Sequence, residues 1–404
     1  KFEINFIDQP DLVDYLNAKM SADEFLVKLK MIMPEDCKPQ ETIVFFDEIQ
    51  KCPEIVTKIK FLVEEGSFKY VMSGSLLGVE LKGITSVPVG YLTVLRMYPM
   101  DFEEFMIANN VSKTTLEMLK AKFETCQPVD EFIHQKLLSL FFIYLIVGGM
   151  PDAVKIYIAT KDIREVDKVQ RDIVMLYKED FSQYESEDKK LKLISIYDII
   201  PAELNKQNKK FVFTMLDKEL KFDRYENSFL WLKDAGVALP VYNVETPTIP
   251  LKASKSSNVF RLFSNDTGLL TSAYPAETKV ELINKNGEVN NGAHFENAVA
   301  QQLVANGFEP YFCKKQKIGE MDFAIEMNGQ VVPIEVKSGK AYKSHKALDN
   351  FMKVPDYHLE KAYVLSIGNV ETDGAITYLP IYMCYLLREQ KLEQMIIELD
   401  TTGL

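Results

Sequence analysis

Histidine, cysteine and tryptophan are scarce in this sequence, with 4 His, 5 Cys and 1 Trp in 404 residues. Cys37, Cys52, Cys126, Cys313 and Cys384 are widely scattered, odd in number and form no C-x-x-C pair. That pattern excludes a disulfide framework and a cysteine-based zinc site, and it suits reduced thiols in a cytosol. The histidines are equally dispersed and make no metal motif. Long apolar runs are also missing. The longest, Leu137 to Val147, contains Ser139 and Tyr144 and falls short of the about 20 residues a membrane span needs. No secretory signal, internal repeat or low-complexity tract is visible, so a soluble, cytoplasmic protein is expected. Positive charge is in deficit, 47 Lys and Arg against 59 Asp and Glu, for a net charge of −12. This excludes a uniformly basic nucleic-acid coat and leaves room for a local basic groove or a metal-bridged substrate.

What is present is concentrated in two constellations. Glu320-Met321-Asp322-Phe323-Ala324-Ile325 and Val332-Pro333-Ile334-Glu335-Val336-Lys337 read as adjacent strands joined by a turn at Asn328-Gly329. Positions i and i+2 of a strand share a face, so Glu335 and Lys337 project together, and a hairpin brings Asp322 to them. Charges in such apolar strands need partners or a metal. Carboxylates, a backbone carbonyl and water suit Mg²⁺, with the lysine orienting the attacking water or stabilising developing charge. The same residues also fit a surface hairpin with solvated charges. The second constellation is Ile43-Val44-Phe45-Phe46-Asp47-Glu48, an apolar strand ending in two acids, which has the form of a Walker B motif. Asp47 would hold Mg²⁺ through water, Glu48 would polarise the hydrolytic water, and Ser73 at the end of the next strand would sense nucleotide state. An acidic helix N-terminus explains Asp47 and Glu48 equally simply.

Along the chain, the spacing predicts an α/β-wound start. Strands are expected at Phe2–Phe6, at 42–46 as a fully buried parallel strand, and at 70–72, with helical stretches over 10–33 and 53–65. Residues 101–187 read as nearly all helical. A helix over 224–236, ended by Gly236, and an extended segment after it give the layout of a winged helix-turn-helix. That helix has Phe229, Leu230, Leu232 and Ala235 for packing, with Trp231 buried, and offers Arg224, Asn227, Ser228 and Lys233 to a partner, either a DNA groove or a protein. Residues 246–258 read as a wing or loop, and 278–292, with Asn284-Lys285-Asn286-Gly287 and Asn290-Asn291-Gly292, as a linker.

The first constellation resembles the core of the PD-(D/E)XK nuclease superfamily, and Glu296 in the helical run His294–Leu303 matches the acid of that family's first core helix. The string Phe45–Pro53, Ser73-Gly74-Ser75, Pro88-Val89-Gly90 and Tyr98–Phe105 is similar to a family of prokaryotic AAA-type ATPases with a carboxyl-terminal DUF4143 domain. Gly148-Gly149-Met150-Pro151, Trp231–Gly236 and Asn265–Leu270 continue that resemblance over essentially the whole chain. It implies a multidomain α/β protein: an AAA-type ATPase core over 1–108, a helical lid or connector over 109–190, a winged helix over 191–277 and a restriction-endonuclease-like domain over 278–404. It also implies ATP and Mg²⁺ as cofactors, nucleic acid, DNA above all, as partner, and assembly as a homo-oligomer. Glu296, Asp322 and Glu335 would hold the nuclease metal and Lys337 would stabilise the transition state. The rival expectation is a non-catalytic, ATP-dependent binding or regulatory module that uses the nuclease fold as a scaffold. Two departures matter. No G-x-x-x-x-G-K-[ST] occurs in this sequence, which reads as the remainder of a longer protein whose phosphate loop precedes Phe2. Tyr91 stands where many relatives have an arginine, with Arg96 nearby as a substitute finger.

Overall fold

The computed structural model describes residues 1–74, 90–184, 187–206, 211, 226–283 and 291–389. Ser75, Pro88, Val89, Arg224 and residues 284–290 of the expected linker lie outside the described residues; residues 278–283 of that linker are helical instead. The fold is mixed α/β and divides into two compact units, Lys1–Met97 with Leu230–Gly236, and Tyr98–Phe229 with Val237–Leu404.

In the first unit β1 (Phe2–Asn5), β2 (Ile43–Asp47) and β3 (Lys69–Met72) form a parallel sheet in the order β1-β2-β3. The region expected to be helical over 10–33 forms two helices, α1 (Pro10–Leu16) and α2 (Ala22–Ile32). Ser21 separates them. Its hydroxyl accepts from the N–H of Glu24, and the Glu24 carboxylate accepts from the N–H of Ser21, a reciprocal cap that makes Ser21 a starting point rather than an interior residue. The helix α3 (Glu54–Glu65) ends on Gly66 at φ +78°. Leu16, Phe25, Leu29, Ile55, Ile59 and Leu62 bury against Ile4, Val44 and Phe46 on one sheet face. Ile43 stays 42 % exposed, so β2 alternates where continuous burial was expected. Each fully buried apolar side chain contributes about 1.5–3 kcal/mol.

The second unit begins with helices α4 (Phe102–Ala108), α5 (Lys113–Glu124), α6 (Glu131–Val147), α7 (Pro151–Thr160), α8 (Ile163–Tyr184) and α9 (Glu187–Leu204). In chain order the helix α10 (Glu226–Asp234), whose residues from Leu230 on belong to the first unit, then precedes β4 (Ala238–Val244) and β5 (Lys255–Ser264) of the second. In α10 Ser228 is buried and Leu230 is 40 % exposed, the reverse of the faces expected from sequence, while Trp231 is buried as expected. Next come α11 (Thr267–Ser272), α12 (Ala276–Ile283) and α13 (Gly292–Ala305). The chain continues through β6 (Tyr311–Lys315), β7 (Gly319–Met327), β8 (Gln330–Val336), α14 (Lys346–Met352), β9 (Ala362–Ser366), β10 (Glu371–Asp373) and β11 (Ile376–Pro380). The described strands of this unit form one sheet in the order β10-β11-β9-β8-β7-β6-β4-β5. It runs across the boundary expected at 278, because β4 pairs with β6. That pairing covers only Tyr242↔Tyr311 and Asn243↔Phe312, and Phe263 of β5 lies 5.7 Å from Phe323 of β7 between ring centres.

One buried carboxylate ties the helices to this sheet. Asp266 is fully buried; its Oδ2 accepts from the N–H of Gly149 (2.6 Å) and its Oδ1 from the N–H of Leu269 (2.9 Å), capping α11. Burial pushes its carboxyl up to about 6, with the donated N–H groups opposing. The folded value lies above the unfolded value of 3.8, so its stabilising contribution is full below about pH 4 and is lost as pH rises through about 6. The difference is roughly 2–3 kcal/mol. Asp266→Asn is therefore expected to flatten the fall in melting temperature across that window. Equal pH slopes in wild type and variant, by calorimetry, would refute this.

Candidate functional site

The registers Asn5↔Asp47 and Phe46↔Met72 place Asn5, Asp47 and the residue after β3, Ser73, at the same carboxyl end of the three strands. Asn5 donates from Nδ2 to Asp47 Oδ2 (2.9 Å), and Ser73 Oγ donates to Asp47 Oδ1. Asn5 is itself fixed, its Oδ1 accepting from the N–H groups of Ile7 (2.9 Å) and Asp8 (3.1 Å). Ser73 also donates its N–H to Phe46 O and accepts from the N–H of Ile49, both at 2.9 Å. The three sequence-selected residues thus converge: Asp47 and Ser73 directly, and Glu48 as the next residue of the chain. Asn5 escaped the sequence reading, although a lone amide near the end of an apolar strand was a usable signal.

Glu48 stands in the left-handed region, at φ +57° and ψ 46°. Its Oε2 accepts from Gln50 Nε2 (2.6 Å). A non-glycine residue held there carries local strain of about 1–2 kcal/mol, and such strain is concentrated at functional positions. Arg96 is exposed and forms no ion pair among the described residues, so its finger role gains no geometry. Tyr91 donates to Glu64 at 2.5 Å.

The second set converges on β7 and β8. Asn328 and Gly329 both have positive φ, +52° and +76°, as a two-residue hairpin turn with right-handed strand twist requires. The pairing Phe323↔Ile334 sets Asp322 opposite Glu335, and Asp322 Oδ2 accepts the N–H of Val336 (3.0 Å). Lys337 Nζ lies 2.8 Å from Glu335 Oε1. Burial pushes the Glu335 carboxyl up to about 8, Asp322 adding to the rise and Lys337 opposing it. Glu335 Oε2 is buried with no hydrogen-bond partner among the described residues. Glu296 is buried on α13. All four sequence-selected residues are therefore electrostatically coupled in one place.

A fifth residue occupies their midst. Arg261 of β5 is 2 % exposed. Its Nη1 is 3.5 Å from Glu296 Oε2, 3.7 Å from Asp322 Oδ1 and 3.4 Å from the Asp322 carbonyl oxygen. Its Nη2 pairs with Glu320 Oε1, and the guanidinium carbon lies 4.7 Å from the Phe312 ring centre. Burial alone would lower the Arg261 pKa, but Glu296, Asp322 and Glu320 outweigh it and raise it. Lys314 pairs with Glu320 at 2.6 Å. Among the described residues no group of three or more His, Cys, Asp or Glu side chains is arranged to hold a metal ion. Nearby in sequence, Lys314, Lys317, Lys340, Lys343 and Lys346 are exposed, and Asn350 Nδ2 ties the 315–319 turn to α14 by donating to Ile318 O (3.0 Å).

Residues 3–106 match the family model described as an AAA domain, 138–280 a domain of unknown function (DUF8612), and 291–384 a domain of unknown function (DUF4143). No curated protein matches. Among solved structures, the Walker-type ATPase PABY2304 of Pyrococcus abyssi is similar at 14 % identity and a TM-score of 0.38, over 67 % of this chain and 83 % of that one. Among the described residues no helix is long and apolar enough to cross a membrane.

The left-handed conformation of Glu48 gives a direct stability test. Glu48→Gly is expected to be more stable than Glu48→Ala by about 1 kcal/mol, since only glycine occupies that region without steric cost. Urea unfolding of the two variants measures it; equal midpoints would mean that Glu48 carries no backbone strain.

Proposed function

We propose that this chain, an AAA-type ATPase with a C-terminal DUF4143 domain, is a nucleotide-controlled module whose C-terminal domain binds nucleic acid without cutting it. The observation that carries the nucleotide half is the bonding of Asp47 to Asn5 and Ser73. A carboxylate steadied by neutral donors keeps its charge for a cation, and a hard oxygen set at strand ends fits Mg²⁺. Asp47 would hold that ion through water and Glu48 would orient the hydrolytic water; bound there, Mg²⁺ would neutralise phosphate charge. Ser73 touches both Asp47 and the backbone after Glu48, so a change at the acids is transmitted to the end of β3. Because the sequence contains no G-x-x-x-x-G-K-[ST], nucleotide affinity of the chain as numbered is expected to be weak.

For the C-terminal domain, the convergence of Asp322, Glu335, Lys337 and Glu296 favours metal-assisted phosphodiester hydrolysis as a second reading. The binding reading is preferred because the guanidinium of Arg261 already engages three of the nearby carboxylates. The exposed lysines of 314–346 would meet a phosphate backbone. In the winged-helix reading of 191–277, the exposed Asn227 on α10 would add a contact.

Two measurements test this. Calorimetry should detect no micromolar ATP binding by the 404-residue chain, whereas a form carrying a phosphate loop ahead of Phe2 should bind ATP and be trapped in the bound state by Glu48→Gln. Micromolar binding by the present chain would refute the weak-affinity expectation. Fluorescence anisotropy with duplex DNA should show binding that weakens steeply from 50 to 200 mM salt, by roughly 10³-fold if about six phosphates are contacted. The DNA should remain uncut in Mg²⁺ or Mn²⁺. Cleavage that Asp322→Ala abolishes would establish the hydrolytic reading instead, and no binding at low salt would redirect the domain to a protein partner.

A further inference from the structure

We infer that Arg261 is the resident cation of the C-terminal acid cluster, standing where a divalent ion would have to be bound, and that the native site takes no metal. This rests on the binding-without-cutting reading and gives it a cause. A hard divalent ion needs several bare oxygens converging on one point. Both Asp322 oxygens already face a positive or N–H partner: Oδ2 accepts the N–H of Val336, and Oδ1 lies 3.7 Å from the Arg261 guanidinium. Glu296 Oε2 faces the same guanidinium nitrogen at 3.5 Å, Glu320 Oε1 pairs with the other, and Glu335 Oε1 is held by Lys337 at 2.8 Å. Among the described residues, Glu335 Oε2 is the oxygen of this set that is buried without a hydrogen-bond partner, and one oxygen is not a coordination shell.

Nor can the guanidinium leave readily. It does not deprotonate at accessible pH, so no titration vacates the position. It is 2 % exposed and lies over Phe312, so displacing it by an incoming ion would leave a buried cation without its partners. An ion entering beside it would meet a like charge within a few ångströms of its own ligands, in a setting where water screens little. The cluster is thus a structural knot: three acids from α13 and β7 are fastened by a guanidinium from β5.

The inference is tested on the full chain with Mn²⁺ as the probe, by calorimetric titration and by the electron paramagnetic resonance of the ion. Wild type should show no Mn²⁺ binding that Asp322→Asn removes. Arg261→Gln should lose thermal stability in metal-free buffer, bind a single Mn²⁺, and regain roughly 5 °C of melting temperature at a hundredfold excess over its dissociation constant. Adding Asp322→Asn to Arg261→Gln should abolish that binding, and Arg261→Lys should stay metal-free because a cation remains. Mn²⁺ binding by wild type that Asp322→Asn eliminates would overturn the inference, as would a folded Arg261→Gln protein that binds none. Should Arg261→Gln not fold in either buffer, the comparison of wild type with Asp322→Asn decides alone. The two readings fail separately: cleavage of nucleic acid refutes the absence of cutting, whereas Mn²⁺ in the wild-type cluster refutes the resident cation even if nothing is cut.

Discussion

The second unit depends on a carboxylate that would be expensive to bury without its bonds. Asp266 joins segments 117 residues apart through the N–H of Gly149 and caps α11 through that of Leu269. The chain around it is shaped to let the carboxylate in. A Cβ on Gly148 would strike the Asp266 carboxylate, and one on Gly149 would strike the backbone of Met100. A Cβ on Gly268 would approach Val147 O to 2.5 Å. Around this contact the helix α13 adds a ladder of amides. Asn297 bonds both the N–H and the carbonyl of Ser264, and Gln301 accepts from the N–H of Thr267 and donates to the Tyr144 hydroxyl. Each is a buried polar group with a partner, and removing one side would strand the other.

That interlock explains what the sequence motifs mean physically. Gly148-Gly149-Met150-Pro151 and Asn265-Asp266-Thr267-Gly268, read in the sequence as part of a DUF4143 resemblance, lie in the stretch that matches DUF8612, and they are two halves of one contact. Pro151 opens α7 at a position where its missing N–H costs nothing. Asp101-Phe102-Glu103-Glu104-Phe105 is a reciprocal cap, with Asp101 and Glu104 exchanging bonds at 2.8 and 2.9 Å and both phenylalanines buried. Motifs built from caps, glycines and local periodicity were legible because their physics acts within a few residues. The β7–β8 hairpin was legible for the same reason. Its turn residues and i, i+2 spacing suffice to align Asp322, Glu335 and Lys337.

Arg261 was illegible by that route. It lies in the strand Val259-Phe260-Arg261-Leu262-Phe263, where a lone arginine flanked by apolar residues hints at a buried ion pair. Its partners lie 35 to 61 residues away in sequence, and nothing local names them. They are reached because β4 pairs with β6 over two positions, which joins the β4–β5 hairpin to the sheet that carries β7. The same long-range pairing carried the sheet past the expected boundary at 278. The failures in the first unit were of another kind. The break at Ser21 within the helical region 10–33 and the exposed flank of β2 are local features, and the serine followed three residues later by a glutamate was present to be read.

Two acidic clusters that looked alike in sequence therefore differ in what neutralises them. At the strand tips, an amide and a hydroxyl orient Asp47 and leave its charge uncompensated among its named partners. In the C-terminal sheet, Glu296, Glu320 and Asp322 face a guanidinium, and Glu335 faces an ammonium. A carboxylate aimed by neutral donors remains a ligand for an incoming cation; one already paired with a fixed cation is a strut. Acid spacing is common to both cases, so the spacing cannot decide between catalysis and scaffolding. The identity of the donor beside each oxygen does.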